Sequence, residues 1–491
     1  KRYNNKPLLG SVKSNLGHLL TAAGMPGMTK AIWALNNAQI PPTINLKDPI
    51  STKQNYMGAA QMPTATVAWP TTHGPRTAGV SVFGFGGSNA HLVLQEPTQV
   101  LEEHVVKAKA AEPLAIIGMD AHFGHAKNLQ QFKALLDSGQ TTFRELPQQR
   151  WKGIDKNTAV MQQLNLTKAP KGGYVEDFDI DFLRFKVPPN EQDCLIPQQL
   201  MMMQVADNAA KDAGLKEGAN VAVLVAMGVE LELHSYRGRV NLATQIEESL
   251  TQQGVVLSEA QRLELTSIAK DSVAFAAQLN QYTSFIGNIM ASRISALWDF
   301  SGPAITLSAE ENSVYRCVEL AQNLFQTSDV DAVIIAGVDL AGSAENITLR
   351  QHFGDVAVDG INKPDQWLVG EGAAAFVLKP QSQVPAERIY ANIDAISFSS
   401  LAVNGSLQQA ANNALALAGR TADQITAVEA HASGFINENL IENAAINALY
   451  PQALAAKQVS SVKSQIGHTR QVHCKAARLH GLMARYQNWV L

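Results

Sequence analysis

Cysteine is scarce in this chain. Three stand in 491 residues, Cys194, Cys317 and Cys474. They are too far apart for paired-ligand spacing, which argues against a disulfide framework and a structural zinc site and points to a reducing, cytoplasmic setting. Charge is scarce too: 17% of residues are charged, against about 25% in an average soluble chain. That deficit implies a large buried surface or a face covered by a partner. The 39 Lys+Arg and 43 Asp+Glu leave a net charge of -4, with no block of like sign. Nucleic acid and an anionic membrane are thus disfavoured as main targets. The longest apolar run, VAVLVAMGV at 221–229, is far short of the roughly 20 residues that span a bilayer. No signal peptide is visible, and the first residue is Lys1, so the natural N-terminus is expected upstream. Length predicts roughly three domains, or two large ones.

A duplication is present. SVKSNLGH occupies 11–18 and SVKSQIGH occupies 461–468, an offset of 461 − 11 = 450 with six of eight residues shared. That period is too long for a solenoid and fits two tandem copies of one large domain: residues 1–97 as the end of copy one, 98–112 as a linker, and 113–491 as most of copy two. The polar, small and charged stretch TQVLEEHVVKAKAA at 98–111 suits the linker. A closing strand is expected at 91–97 and buried strands at 113–120, 221–228, 303–308, 331–339, 371–379 and 425–431, with helices over 313–326 and 406–419. Continuous apolar strands alternating with helices predict an α/β fold around a largely parallel or mixed sheet.

Two motifs suggest chemistry. Lys13 and His18 in SVKSNLGH stand five residues apart on a strand-to-helix turn, a cation and an imidazole suited to a carboxylate substrate. Small residues follow, so a helix can pack closely there. FGFGGSNAH at 83–91 puts three glycines in five residues, letting backbone N–H groups approach a ligand. It lacks the GxGxxG pattern of dinucleotide folds. Taken singly, each motif also fits a structural turn.

Together, KSNLGHLLTAAG, IPPTINL and SVFGFGGSNAHLVL resemble the last third of a β-ketoacyl synthase of the polyketide and fatty-acid type, and most closely that of bacterial polyunsaturated fatty acid synthases. Copy two resembles the same family through EPLAIIGMDAHFGHA, GNIMASRISALWDFSGPAIT, EAHASGF and SVKSQIGH. The resemblance implies a thiolase-like α-β-α-β-α layered sandwich that dimerises, one near-complete copy preceded by the C-terminal part of another. It implies a Cys-His-His triad, no covalently bound cofactor, and substrates carried as acyl and malonyl thioesters on the phosphopantetheine arm of acyl carrier protein domains. Other synthase subunits are implied partners. In copy one, His18 corresponds to the second active-site histidine, Lys13 to the lysine that supports the histidines, and Phe85 to the gating phenylalanine whose N–H helps form the oxyanion hole.

Copy two departs from the pattern. The family's cysteine follows the Gly of the GP dipeptide by nine residues; from Gly302 that position is Glu311, within LSAEENSVYR. A carboxylate forms no thioester that hands acyl groups on. His431, Lys463 and His468 remain, and the family's H-G-T-G-T reads HASGF. These four positions are thus expected to be vestigial. A cysteine-less copy beside a ketosynthase resembles a chain-length factor, which pairs with the active domain as a pseudo-dimer and shapes the acyl tunnel. The implied function is support of decarboxylative Claisen condensation. Two alternatives are a decarboxylase that makes starter units from malonyl-carrier, and a non-catalytic dimerisation scaffold. A carrier-sized tunnel reaching His431 and His468 would favour decarboxylation. The basic tail RQVHCKAARLHGLMARYQNWVL from Arg470 reads as a frameshifted or truncated end, with a divergent natural end as the alternative. The remaining candidates read as structural: Met201–Met203 as helix core, His122 and His125 as surface or structural residues flanking a loop Gly, Glu429 as a strand residue, Cys194 and Cys317 as small core residues, and Trp33 and Trp69 as packing residues.

Overall fold

The computed structural model describes the chain except for residues 1–5, 50, 52–56, 71–73, 85–86, 98–111, 149, 188–194, 229–232, 274–275, 277, 279–283, 285, 341, 400–405, 457 and 470–491. Phe85, the linker residues 98–111, Cys194, Cys474 and the basic tail lie outside the described residues. The chain divides into two compact units, Lys1–Lys107 and Ala108–Leu491.

The first unit holds the short helix α1 (Lys13–Leu16), helix α2 (Gly24–Asn37) and an antiparallel hairpin of β1 (Thr77–Phe83) and β2 (Asn89–Gln95), paired from Thr77↔Gln95 to Phe83↔Asn89. The small residues after His18 let α2 press onto that hairpin: side chains at Gly24 and Gly27 would meet Val82 at 3.0 Å and Val80 at 3.5 Å. Trp33 is not the packing residue expected. It is 47% exposed, because α2 buries the neighbouring positions Ala34 and Leu35 instead.

The second unit is built on one mixed sheet. In chain order its strands are β3 (Leu114–Phe123), β4 (Val221–Ala226), β5 (Ala304–Leu307), β6 (Ala332–Leu340), β7 (Val369–Pro380) and β8 (Ala391–Ile393). Their spatial order is β8-β3-β7-β6-β4-β5, and Gly172–Gly173 adds a short strand to β7. β4 runs parallel to both β5 and β6, whereas β7 is antiparallel to β3 and β6. Strands buried on both faces read as near-continuous apolar runs, and all six residues of β4 are fully buried. Alternate residues feed two cores. On one face Val221, Val223 and Val225 pack with Met201–Met203 from the helix Pro197–Asp212. On the other, Ala222 and Leu224 pack with Val314 and Cys317 from the helix Ser313–Thr327. The result is a layered α-β-α body, in which the three methionines are core as expected. His122 is buried, its ring 3.2 Å from the Gly124 carbonyl. A second, smaller sheet pairs β9 (Val428–Glu429) with β10 (Val459–Ser460) in parallel. The strand expected over 425–431 is thus confined to its centre.

One buried carboxyl gives a stability prediction. Asp120 on β3 accepts a hydrogen bond from Asn208 at 2.8 Å. Burial, aided by the charge of Asp212 and opposed by hydrogen bonds from Asn208 and Ala121, pushes its carboxyl up to about 6 from 3.8. A raised folded-state value means that its stabilising contribution is complete below pH 3.8 and is lost as pH rises through 6. Between pH 5 and 8 the loss is about 1–1.5 kcal/mol. Asp120→Asn should remove that part of the pH dependence, read as denaturant midpoints at the two pH values. An unchanged pH difference would contradict the assignment.

Candidate functional site

Glu311 lies where β5 turns into the helix Ser313–Thr327. The turn is tight. Glu310 takes the left-handed φ of +49°, and the Ser313 hydroxyl both accepts from Ala309 N–H at 2.9 Å and donates to the Glu310 carbonyl at 2.5 Å. Glu311 therefore stands just before the N-terminus of a 15-residue helix, as its spacing from Gly302 predicts, where the helix dipole favours an anion.

Two histidines converge on it. Glu311 Oε1 is 2.8 Å from His468 Nε2, and Oε2 is 2.7 Å from His431 Nε2. The two rings meet edge to face, with centroids 5.8 Å apart. Lys463 Nζ lies 3.2 Å from His431 Nδ1. An ammonium only donates, so Nδ1 is the acceptor and the ring proton sits on Nε2, facing Glu311. Burial pushes the Glu311 carboxyl upward. The pull of His468 and the hydrogen bonds from both rings outweigh burial, so the group stays ionised, well below the usual carboxylate range. His468 is itself driven well below the ordinary histidine range, by burial first and then by Arg350 and Lys463.

The sequence brings these groups together through three short devices. Glu442 accepts from the backbone N–H groups of His431 and Ala432 at 2.5 and 2.8 Å, pinning the HASGF loop. Ala432 occupies a left-handed φ of +43° there. Glu429 accepts from Ser460 Oγ at 2.7 Å and Val462 N–H at 2.5 Å, so it is structural, as expected, and ties the two histidine motifs. His468 N–H donates to the Leu368 carbonyl at 2.8 Å, which fixes the second histidine at the start of β7. Lys463 and His468 are 4% and 1% exposed.

Arg350 was not singled out by any motif. Its guanidinium lies 3.8 Å from Glu311 Oε1, is 4% exposed, and sits over the rings of Trp367 at 4.7 Å and Phe435 at 5.5 Å. It comes from the helix Ala344–Gln351, whose sequence carries no signal of a site.

In the first unit, Lys13 and His18 are exposed. His18 Nδ1 accepts from the Leu20 N–H at 3.0 Å. The backbone repeats that of the second copy: Gly17 and Gly467 both follow a four-residue helix and have φ/ψ of 79°/-174° and 79°/-176°. Ser81 and His91 face each other across the hairpin at 2.9 Å. Among the described residues no cluster suited to a metal ion occurs, and no helix is long and apolar enough to cross a membrane.

The family model of the β-ketoacyl synthase N-terminal domain matches residues 111–384, and that of the C-terminal domain matches residues 1–47 and again 388–484. The chain belongs to the β-ketoacyl synthase family. The second match of the C-terminal model coincides with the repeated motif. A polyunsaturated fatty acid synthase subunit of Thraustochytrium sp. is 37% identical over 409 residues, 79% of this chain and 19% of that protein. A phenolphthiocerol/phthiocerol polyketide synthase subunit of Mycobacterium tuberculosis is 26% identical over 415 residues, 79% of this chain and 17% of that protein. The chain thus spans about one fifth of the length of these relatives. The solved structure named PfaC Keto synthase-Chain length factor is 68% identical, with a TM-score of 0.94, covering 99% of this chain and 52% of that one. A ketosynthase from module 6 of the bacillaene synthase of Bacillus subtilis 168 superposes with a TM-score of 0.58 at 21% identity, over 76% of this chain and 61% of its own, which shows the shared thiolase-like fold.

Proposed function

We propose that residues 113–491 act as a chain-length-factor-like partner in a polyunsaturated fatty acid or polyketide synthase, and that residues 1–97 are the end of a ketosynthase joined to it by 98–112. On this reading, His18, Lys13 and Phe85 serve the ketosynthase. The second copy helps shape the tunnel that receives acyl chains delivered on the phosphopantetheine arm of an acyl carrier protein. One observation carries the reading: Glu311 stands at the nucleophile's position by spacing, with one carboxylate oxygen on each histidine. Both groups that would otherwise promote decarboxylation are committed to an internal anion.

The retained grouping of His431, His468 and Lys463 favours a second reading, a malonyl-carrier decarboxylase. Glu311→Gln separates the two. A malonyl carboxylate near 4 Å from Glu311 would be repelled by about 4 kcal/mol at an effective dielectric of about 20. The unaltered chain is therefore expected to release no CO₂ from malonyl-carrier protein, and the Gln variant to gain at least trace release. An active unaltered chain that the substitution silences would make Glu311 catalytic and overturn the tunnel-shaping reading.

A further inference from the structure

We propose that the second unit carries a docking surface for a basic, amphipathic polypeptide segment, built from Phe353, Ile361, Ile436 and Leu440. These four side chains are 74%, 59%, 58% and 62% exposed. Two segments bring them together. The Phe435 ring fills the space where Gly354 would carry a side chain, and Asn439 Nδ2 donates to the Pro364 carbonyl at 2.7 Å. The loop that follows the helix Ala344–Gln351 is thereby pressed against the first turns of the helix Ile436–Leu449. Ile436 and Leu440 are four residues apart and share one face of that helix. Further along the same stripe Asn443 and Asn447 are exposed and polar, so the apolar part is confined to the end beside the loop.

Single exposed apolar residues are ordinary, whereas contiguous ones with a polar rim mark interaction sites. Here the rim is acidic. Asp355, Asp365 and Glu438 are exposed, close in the chain to Phe353, Pro364 and Asn439. The cations of this region are engaged elsewhere: Lys363 meets Asp359 at 3.2 Å, and Lys171, packed beside Gly360, meets Glu145 at 2.9 Å. Arg350 is buried and turned toward Glu311. The three carboxylates therefore leave the rim negative. An anionic membrane would be repelled by it, whereas lysine or arginine flanking an apolar stripe complements both parts of the surface. A helix with apolar residues at three- and four-residue spacing presents such a stripe. The inference concerns the outer surface and stands whether or not the Glu311 pocket decarboxylates malonyl groups.

The test uses the 491-residue chain and a labelled synthetic peptide with leucine at helical spacing and lysine between, read by fluorescence anisotropy. A twin peptide carries glutamate in place of lysine. The lysine peptide should bind saturably and more weakly as salt rises, and the glutamate twin should not bind. Phe353→Ser combined with Leu440→Ser should weaken binding at least tenfold. Both side chains are mostly exposed, so the thermal midpoint should stay where it is. Asp365→Lys combined with Glu438→Lys should weaken the lysine peptide by a similar factor and admit the glutamate twin; this pair decides the question should the serine pair prove unstable. The same reversal at Glu259 and Glu264, on the separate helix Glu259–Val273, should leave binding as it was. Binding indifferent to the charge reversal at Asp365 and Glu438, or weakened equally by the one at Glu259 and Glu264, would overturn the proposal. So would tighter binding to phosphatidylglycerol vesicles than to the lysine peptide.

Discussion

Incubated with acyl- and malonyl-carrier proteins, the 491-residue chain is expected to form no β-ketoacyl product above a blank. Condensation by this family's chemistry requires a thiolate that first takes the acyl chain as a thioester. Residues 1–97 contain no cysteine. In the second copy the position reached by spacing is Glu311, whose two oxygens are held by histidines. Cys317 is six residues further along, about 9 Å of helix rise. It is fully buried, packed in the core between the sheet and its own helix. Loss of a nucleophile costs roughly a millionfold in turnover where it has been measured on a triad, so the expected rate is that of the blank. Mass spectrometry of the carrier-bound products is the check. A β-ketoacyl species formed by this chain would show that another group carries the acyl intermediate.

Much of this architecture was legible because the sheet is buried on both faces. A strand with cores above and below it is near-continuously apolar, so β3, β4, β6 and β7 stood out as runs within two or three residues of their true ends. The 425–431 strand was overread for the opposite reason. Only Val428 and Glu429 pair with β10, and both are half-buried, so a short edge pair carries little pattern. Glu311 was legible through spacing, since one turn between strand and helix leaves little freedom. Arg350 was not. Its role depends on the chain returning from β6 through the helix Ala344–Gln351, and on Trp367 and Phe435 arriving from two other segments. No local pattern encodes that convergence. Trp33 failed as a packing residue because apolar character does not fix which face of α2 is covered; roughly half of any protein surface is apolar.

The repeat itself yields the second large effect. Gly17 and Gly467 share φ of 79° with ψ near 180°, a region that only glycine occupies at low cost. Alanine at Gly17 therefore pays the conformational penalty alone, roughly 1–3 kcal/mol, because its Cβ would meet nothing within 4 Å. At Gly467 the same Cβ would lie 2.2 Å from the Val369 carbonyl oxygen and 2.7 Å from Gly370 Cα. Both contacts are with the backbone of β7, at the centre of the sheet, so neither can yield cheaply. Gly467→Ala is expected to cost on the order of 4 kcal/mol or more, in the range reserved for severe core lesions. The damage should reach the site, because His468 is the next residue and owes its position to the Leu368 carbonyl and its contact to Glu311. Amide hydrogen exchange followed separately in the two units would report both losses. The Gly17 change should loosen only its own neighbourhood, whereas the Gly467 change should lower protection along β7. Equal costs at the two glycines would show that the second copy does not depend on this close approach, and would undo the account of how its histidine is held.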